Sequence, residues 1–370
     1  MKFRSNAGFG TALCFAALAG LASLAVPAAA FASRTPAAHP DVASAIAGYA
    51  RSEAGDAESY FAFDSADSAP DAVSISQVLT GQYQVTFAHL GSIASKAVVQ
   101  LTTNDTTDTC SVGSWLPAGQ DLQVAVGCFD LLTGAPSNGD FTVLVTQATG
   151  TPHGTFDYAL NTRANTSGTL TSFQYNSAHK KNSVKFLGTG KYQLMFGGPK
   201  TSGTKGVVKV TPFGNAAGDC ELVSWTGSGK GVLVNVDCYG PGHVLADRDF
   251  VVTYASANSL MGINGQIVAN AFANSSAAVY QPAVQYDSVR GAKVTVVNLD
   301  HGQYEVFVAG SAGNPVKFGG DVQVSAVSSL GRHCGLLGWS AQHTPAINVA
   351  CWDPKGKLVN SPFTVEWVVP

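Results

Sequence analysis

Three stretches of this chain carry one string, and that recurrence limits the fold more than any other property. The first stretch reads Gly81-Gln-Tyr83-Gln-Val85-Thr-Phe87, then Cys110-Ser-Val112-Gly-Ser-Trp115, Val124-Ala-Val126-Gly-Cys128-Phe129-Asp130 and Phe141-Thr-Val143. The second has Gly190-Lys-Tyr192-Gln-Leu194-Met-Phe196, Cys220-Glu-Leu222-Val-Ser-Trp225, Val234-Asn-Val236-Asp-Cys238-Tyr239 and Phe250-Val-Val252. The third has Gly302-Gln-Tyr304-Glu-Val306-Phe-Val308, Cys334-Gly-Leu336-Leu-Gly-Trp339, Ile347-Asn-Val349-Ala-Cys351-Trp352-Asp353 and Phe363-Thr-Val365. A shared entry precedes each: Phe63-Asp64-Ser65, Tyr175-Asn176-Ser177 and Tyr286-Asp287-Ser288. Trp115, Trp225 and Trp339 stand 110 and 114 residues apart, so each copy is long enough to be a domain. The pattern is that of a tandem array, not a solenoid of small repeats.

Within a copy the apolar period is two. Tyr83, Val85 and Phe87 alternate with polar residues, as do Val124, Val126 and Cys128, which is the pattern of strands with one buried face. About seven such runs per copy, parted by Gly, Asp, Asn and Pro, predict an antiparallel β-sandwich. Forty Gly and 16 Pro in 370 residues also disfavour long helices. The expected fold is therefore all-β: three tandem antiparallel β-sandwich domains at 49–148, 155–255 and 266–370, each with one hairpin disulfide. An arm at 33–48 precedes them, and the only helical candidate is a short turn from Asp41 to Ala50. Short linkers at 148–154 and 255–265 predict domains that touch or hinge only modestly.

The recurrence also selects one of the 15 pairings open to six cysteines: Cys110 with Cys128, Cys220 with Cys238, and Cys334 with Cys351. Cys110 opens one strand and Cys128 closes the next, across a turn at Pro117-Ala118-Gly119, so a bridge between facing strands is possible. Two cysteines per copy without a repeated His do not make a tetrahedral zinc site. The seventh cysteine, Cys14, lies in a leader. There, Lys2 and Arg4 precede an apolar run from Thr11 to Val26, and Ala30-Phe31-Ala32 before Ser33 fits a cleavage site. Residues 1–32 are read as a secretory signal peptide, placing the protein outside the cytoplasm as secreted or periplasmic. The run is too short for a membrane span of ~20 residues, and no transmembrane anchor is expected.

Catalysis finds little support. The chain has no Gly-x-Ser-x-Gly, no His-Glu-x-x-His, no phosphate-cradling loop and no calcium loop of the EF-hand type. His39, His89, His153, His179, His243, His301, His333 and His343 occupy no equivalent positions in the copies. Asp64, Asp67 and Asp71 lack regular ligand spacing and read as a solvated loop. Asp130 and Asp353 follow the second cysteine and read as turn residues that bond backbone amides, like Asp64, Asn176 and Asp287 in the entry motif. The expectation is a protein with no enzyme activity, cofactor or metal.

Phe129, Tyr239 and Trp352 are the binding candidates. Each follows the second cysteine and so points to the opposite face. Exposed there, the three rings would stack on sugars or anchor a partner; the other reading has the N-terminal strand of the same domain covering them. Charge is uneven between copies. Residues 34–150 hold 12 acids and 3 bases, 151–257 hold 6 and 10, and 258–370 hold 6 and 6. The basic middle reads as a solvated face, or as a contact for an anionic polymer or for the acidic first copy. A formal net charge of −3 excludes a nucleic-acid binder that works by neutralising phosphates.

These motifs together resemble a repeat found in uncharacterised secreted bacterial proteins. The resemblance covers residues 49–370. It is closest in the third copy, with its leading Phe272-Ala273 and Tyr280-Gln-Pro282, and departs in the second, where Gly240 replaces the Asp. It implies export and a β fold; the family has no established activity to transfer. The sequence is thus read as an exported, non-catalytic protein for binding or adhesion, its partner an extracellular polysaccharide or a protein surface. A carbohydrate-binding array and a secreted hydrolase with an unrecognised site are the alternatives.

Overall fold

The computed structural model describes residues 47–53, 56–66, 72–104, 108–147, 155–162, 165–170, 173–198, 206–257, 267–289, 291–309, 319–340 and 345–369. The leader with Cys14, most of the arm and of both linkers, Asp67 and Asp71 lie outside them. Strands dominate. The first group is β1 (Ala47–Glu53), β2 (Asp56–Asp64), β3 (Val73–Leu79), β4 (Gln82–Phe87), β5 (Ala97–Thr103), β6 (Asp108–Ala118), β7 (Asp121–Asp130) and β8 (Phe141–Gln147). The second is β9 (Thr155–Asn161), β10 (Gly168–Thr169), β11 (Gln174–Asn176), β12 (Asn182–Gly188), β13 (Lys191–Gly197), β14 (Val207–Phe213), β15 (Asp219–Ser228), β16 (Gly231–Tyr239) and β17 (Asp249–Ser256). The third is β18 (Ile267–Ala273), β19 (Val279–Tyr280), β20 (Gln285–Asp287), β21 (Val294–Asp300), β22 (Gln303–Val308), β23 (Asp321–Ala326), β24 (His333–Ser340), β25 (Ala346–Trp352) and β26 (Phe363–Val369).

Each group folds into two facing antiparallel sheets, and the strand order recurs. One sheet runs β2-β1-β8-β5, β11-β9-β17-β14 and β20-β18-β26-β23 in turn. The other runs β3-β4-β7-β6, β10-β12-β13-β16-β15 and β19-β21-β22-β25-β24. The fold is all-β, in three sandwiches. Ala47 to Ala50, the end of the expected helical turn, is strand β1. It pairs with β8 at Tyr49↔Leu144 and is buried on both sides, so packing overrides the helical preference of its alanines.

The repeated motif has a physical reading residue by residue. Gly81, Gly190 and Gly302 end the hairpin turns at φ 69°, 67° and 71°. A methyl group there would lie 2.5, 2.5 and 2.7 Å from the carbonyl oxygens of Cys128, Cys238 and Cys351, so only glycine fits. The glycine amides donate to Asn138, Asp247 and Asn360 at 2.9, 2.8 and 2.7 Å. Tyr83, Tyr192 and Tyr304 pack across the sandwich on Phe141, Phe250 and Phe363, with ring centroids 5.3, 5.0 and 4.9 Å apart. The odd spacing of Cys-x-x-x-x-Trp would put those side chains on opposite faces. A β-bulge absorbs one residue between Val112 and Ser114, Leu222 and Ser224, and Leu336 and Gly338, which returns each Trp to the core face. There its indole donates to Ala94, Gly206 or Gly319.

The cysteines pair as expected: Cys110–Cys128, Cys220–Cys238 and Cys334–Cys351, directly opposite in register with Cα atoms 4.0 Å apart. Three disulfides fit an oxidising environment, and among the described residues no helix is long and apolar enough to cross a membrane. Converting Cys220 and Cys238 together to Ala should lower stability by about 3 kcal/mol, the cost of freeing a loop of this length. Denaturant unfolding without reductant measures it, and an unchanged midpoint would contradict it.

The three sandwiches close into a ring. Edge strands β5, β14 and β23 meet at its centre, each offering an outward amide to a hydroxyl of the next strand. Leu101 N–H donates to Thr211 at 3.2 Å, Val210 N–H to Ser325 at 3.1 Å, and Val324 N–H to Thr102 at 2.9 Å. These residues occupy equivalent positions, so the bonds run first to second, second to third and third to first: a pseudo-threefold axis. The tryptophans repeat the cycle. Trp115 lies 5.4 Å from Phe213 and 5.5 Å from Phe173, Trp225 4.7 Å from Phe272, and Trp339 under the Arg51 guanidinium at 5.0 Å. Tyr49 and Leu144 join Val268 and Val368 in one buried cluster, which closes the first sandwich on the third. Modest touching was expected from the linkers; continuous burial around the axis is found, since the edge strands need partners for their open amides.

Candidate functional site

Of the aromatic candidates, Phe129 is half-buried, while Tyr239 and Trp352 are each 5% exposed. The cover is local. Phe129, Tyr239 and Trp352 bridge back to Pro136, Leu245 and Leu358 just downstream. The Trp352 ring stacks on His333 at 5.9 Å and Tyr239 lies 6.1 Å from His243. A returning loop and the adjacent strand do the covering, in place of the N-terminal strand. The three rings make no open platform. Asp130 accepts the amides of Leu132 and Thr133, Asp353 those of Lys355 and Lys357, and Asp64 that of Ala66, all as turn residues.

Polar chemistry concentrates instead on the pseudo-threefold axis. The residue before the first cysteine of each sandwich is Thr109, Asp219 and His333, and all three line one small cavity there. β15 and β24 bring Asp219 Oδ2 and His333 Nδ1 to 2.9 Å, and Asp219 Oδ1 accepts the Cys220 amide at 2.8 Å. His333 Nε2 is enclosed with no partner, as are both ring nitrogens of His243, and the buried Glu221 carboxyl lies against the Arg332 backbone amide. Further along the axis Gln100, Lys209 and Gln323 are equivalent and buried, and Lys209 Nζ donates to the Val324 carbonyl.

Burial sets the electrostatics. It drives the Lys209 ammonium down to about 7, against the pull of Asp219 and Asp321. It raises Glu221 well above the carboxylate range, with Asp219 adding to the effect. Asp321 rises to about 6 by burial, despite bonds from Thr142 and Gln323. For Asp219 burial also pushes upward, but the His333 bond and charge and the Cys220 amide outweigh it and leave the carboxyl below its usual value. His243 is lowered, first by burial, with Asp219 opposing.

A buried Asp–His pair with Thr109 at the third equivalent position has the residue types of a hydrolytic triad. Scale decides against that use. The cavity holds about 30 Å³, room for one or two waters, and an acyl group would have to part the ring to reach Nε2. What the arrangement can do is offer enclosed water the partners it needs and hold titratable charge between the second and third sandwiches. Among the described residues no group of three His, Cys, Asp or Glu is placed to hold a metal ion. Sequence reasoning treated the histidines one by one and missed this cluster. Its signal was one column of the aligned copies, the position before the first cysteine, which is polar in all three and different in each. No family model matches the chain, and no curated protein matches it.

Proposed function

We propose that the chain is an exported, non-catalytic binding protein: tandem copies of one disulfide-bonded domain, freed by cleavage after Ala32, that grip an extracellular surface through the outer ends of their hairpins. One observation carries the reading. Val78, Leu187 and Leu299 each stand three residues before the clamped glycine, and they are 58%, 50% and 55% exposed. A single exposed aliphatic is ordinary. Its recurrence at one register position has no packing explanation, because none of the three reaches the core. Positions related by a threefold axis share one level along it, so the three form a triangle of like contacts. Weak contacts made together gain avidity without any single strong site.

The test is sedimentation with insoluble polysaccharides and with whole bacterial cells. Retention of the mature chain, with Ser33 as its first residue by N-terminal sequencing, is the expected result. Replacing any one of Val78, Leu187 or Leu299 by Ser should weaken retention a few-fold, and replacing all three by more than the singles combined. No retention on any solid, or retention indifferent to the triple variant, defeats the proposal. Hydrolysis in a broad substrate panel that Asp219→Asn abolishes would favour the hydrolase alternative.

A further inference from the structure

The excess positive charge of residues 151–257 has a place in the structure that the hairpin contacts do not use. Lys180 and Lys181 stand in the turn that leads into β12, Lys185 lies on β12, and Lys230 sits at the turn joining β15 and β16; all four are exposed. These segments are built together. Buried Asn176 holds the first turn: its Oδ1 accepts the amides of Ala178 and Lys180 at 3.0 and 3.2 Å, and its Nδ2 donates to the Gly197 carbonyl at 2.9 Å. Gly198 N–H donates to the Lys230 carbonyl at 2.8 Å, and a methyl group on Gly198 would lie 2.8 Å from Lys180 Cγ. Gly198 thus brings the Lys180 stem and the Lys230 turn side by side. On β12, Asn182 and Val184 are buried, so alternation puts Lys181 and Lys185 on the outer face, four residues or ~13 Å apart.

Among the described residues none of these four lysines has an ion-pair partner, whereas Lys191 at the far end of the hairpin meets Asp237 at 2.6 Å. Of the six acids in 151–257, Asp157, Asp219, Glu221 and Asp237 are buried. Asp247 and Asp249 lie at the opposite end of the sandwich, where Asp247 accepts the Gly190 amide and Asp249 opens β17. The fold does not demand the lysines. At the same offsets from the clamped glycine and the tryptophan, the first copy carries Asp71, Ala72, Ser76 and Gln120, and the third Ala292, Lys293, Val297 and Thr344. One framework therefore accepts acidic, neutral or basic residues there, and the second sandwich alone gathers four bases. Like charges held together repel, and an anionic chain laid across them replaces that repulsion by attraction and releases counterions. An ammonium is a point charge without the fork that fixes a guanidinium on one carboxylate or phosphate. Four lysines therefore read charge density along a polymer, not the geometry of a single group.

We infer that the face of the second sandwich carrying Lys180, Lys181, Lys185 and Lys230 is a docking surface for an acidic polysaccharide, held by the charge along its chain. The choice of a polysaccharide rests on the exported binding reading above, but the residues are other than the hairpin aliphatics. Val78, Leu187 and Leu299 supply contacts common to the three sandwiches, and this patch adds one peculiar to the second.

Fluorescence anisotropy of labelled dextran sulfate and polygalacturonate, titrated with the full mature chain, tests it against uncharged dextran. At least one acidic polymer should bind and dextran should not; the stronger of the two identifies sulfate or carboxylate as the favoured group. Raising salt from ~50 to ~200 mM should weaken binding roughly ten- to hundred-fold, as about four displaced counterions require. Lys180→Gln combined with Lys181→Gln should weaken it about ten-fold and lower the salt slope by about two, with the melting profile retained. Lys355→Gln combined with Lys357→Gln removes as much charge from exposed positions of the third sandwich and should leave binding nearly unchanged. The inference fails if neither acidic polymer binds, if the two double variants weaken binding equally, or if DNA binds more tightly than either polysaccharide. Salt-sensitive dimers in sedimentation velocity, with no polysaccharide bound, would give the patch to the acidic first sandwich of a second copy and overturn it. Retention on a neutral insoluble polysaccharide that survives the Lys180 and Lys181 changes, but not the triple hairpin variant, would separate this surface from the hairpin contacts.

Discussion

Replacing Thr102 and Thr211 by Val and Ser325 by Ala in one chain is expected to cost on the order of 3–9 kcal/mol of unfolding free energy. The figure counts three buried backbone donors, at Leu101, Val210 and Val324, each left unsatisfied at ~1–3 kcal/mol. The changes keep volume close to native and remove only the hydroxyls, so cavity terms are small. All three hydroxyl residues are at most 5% exposed, and water cannot take their place without opening the ring. A second effect should accompany the loss. With the axis unlatched, β5, β14 and β23 become open edges, and the three sandwiches should unfold in separate steps. Calorimetry reads both. A single transition at the wild-type temperature would show that the axial bonds contribute nothing to the closure.

The fold was legible because its signals are local. Alternation at Tyr83, Val85 and Phe87 reports a strand with one buried face, and six cysteines in pairs 18, 18 and 17 residues apart report their own pairing. The bulge was present in the same letters, as the odd step from Cys110 to Trp115, but a period-two reading passes over a single slip. The closure of the ring was not legible. It depends on which way the edge strands face, and Thr102, Thr211 and Ser325 look like solvent-side residues of ordinary strands. Short linkers were compatible with a string of beads or a closed ring, and only the contacts of Trp339 with Arg51 and of Tyr49 with Val368's cluster decide between them. The aromatic candidates failed for a related reason. Alternation does place Tyr239 and Trp352 on the face away from the cysteines, but it cannot report that the chain returns through Leu245 and Leu358 to cover them.

The buried charges give the second large effect: stability should pass through a minimum between about pH 6 and 7 and rise on either side. On the alkaline side the group is Lys209, lowered from 10.5 to about 7 by burial. A lowered pKa means the unfolded chain holds the proton more tightly. Its contribution is therefore complete above 10.5 and is lost as pH falls to about 7, at ~1.4 kcal/mol per unit. On the acid side the groups are Asp157 and Asp321, each raised from 3.8 to about 6, first by burial, together with Glu221, raised for the same cause. For these the folded chain holds the proton more tightly, so stability is complete below 3.8 and is lost as pH rises through about 6. Each aspartate can return up to about 3 kcal/mol between pH 6 and 4, less whatever solvent reaches it. Asp219 opposes them, because its lowered pKa makes its contribution fade as acid protonates it. Melting temperatures at pH 4.5, 6.5 and 9 should trace the curve. Lys209→Met should flatten the alkaline limb by removing a buried cation from the axis. Asp157→Asn, whose amide nitrogen would replace the unpartnered Oδ2, should flatten part of the acid limb while keeping the Ser177 bonds. A single maximum near neutrality, or an alkaline limb that survives Lys209→Met, would mean that the axial charges are solvated and that the ring is more open than its hydrogen bonds imply.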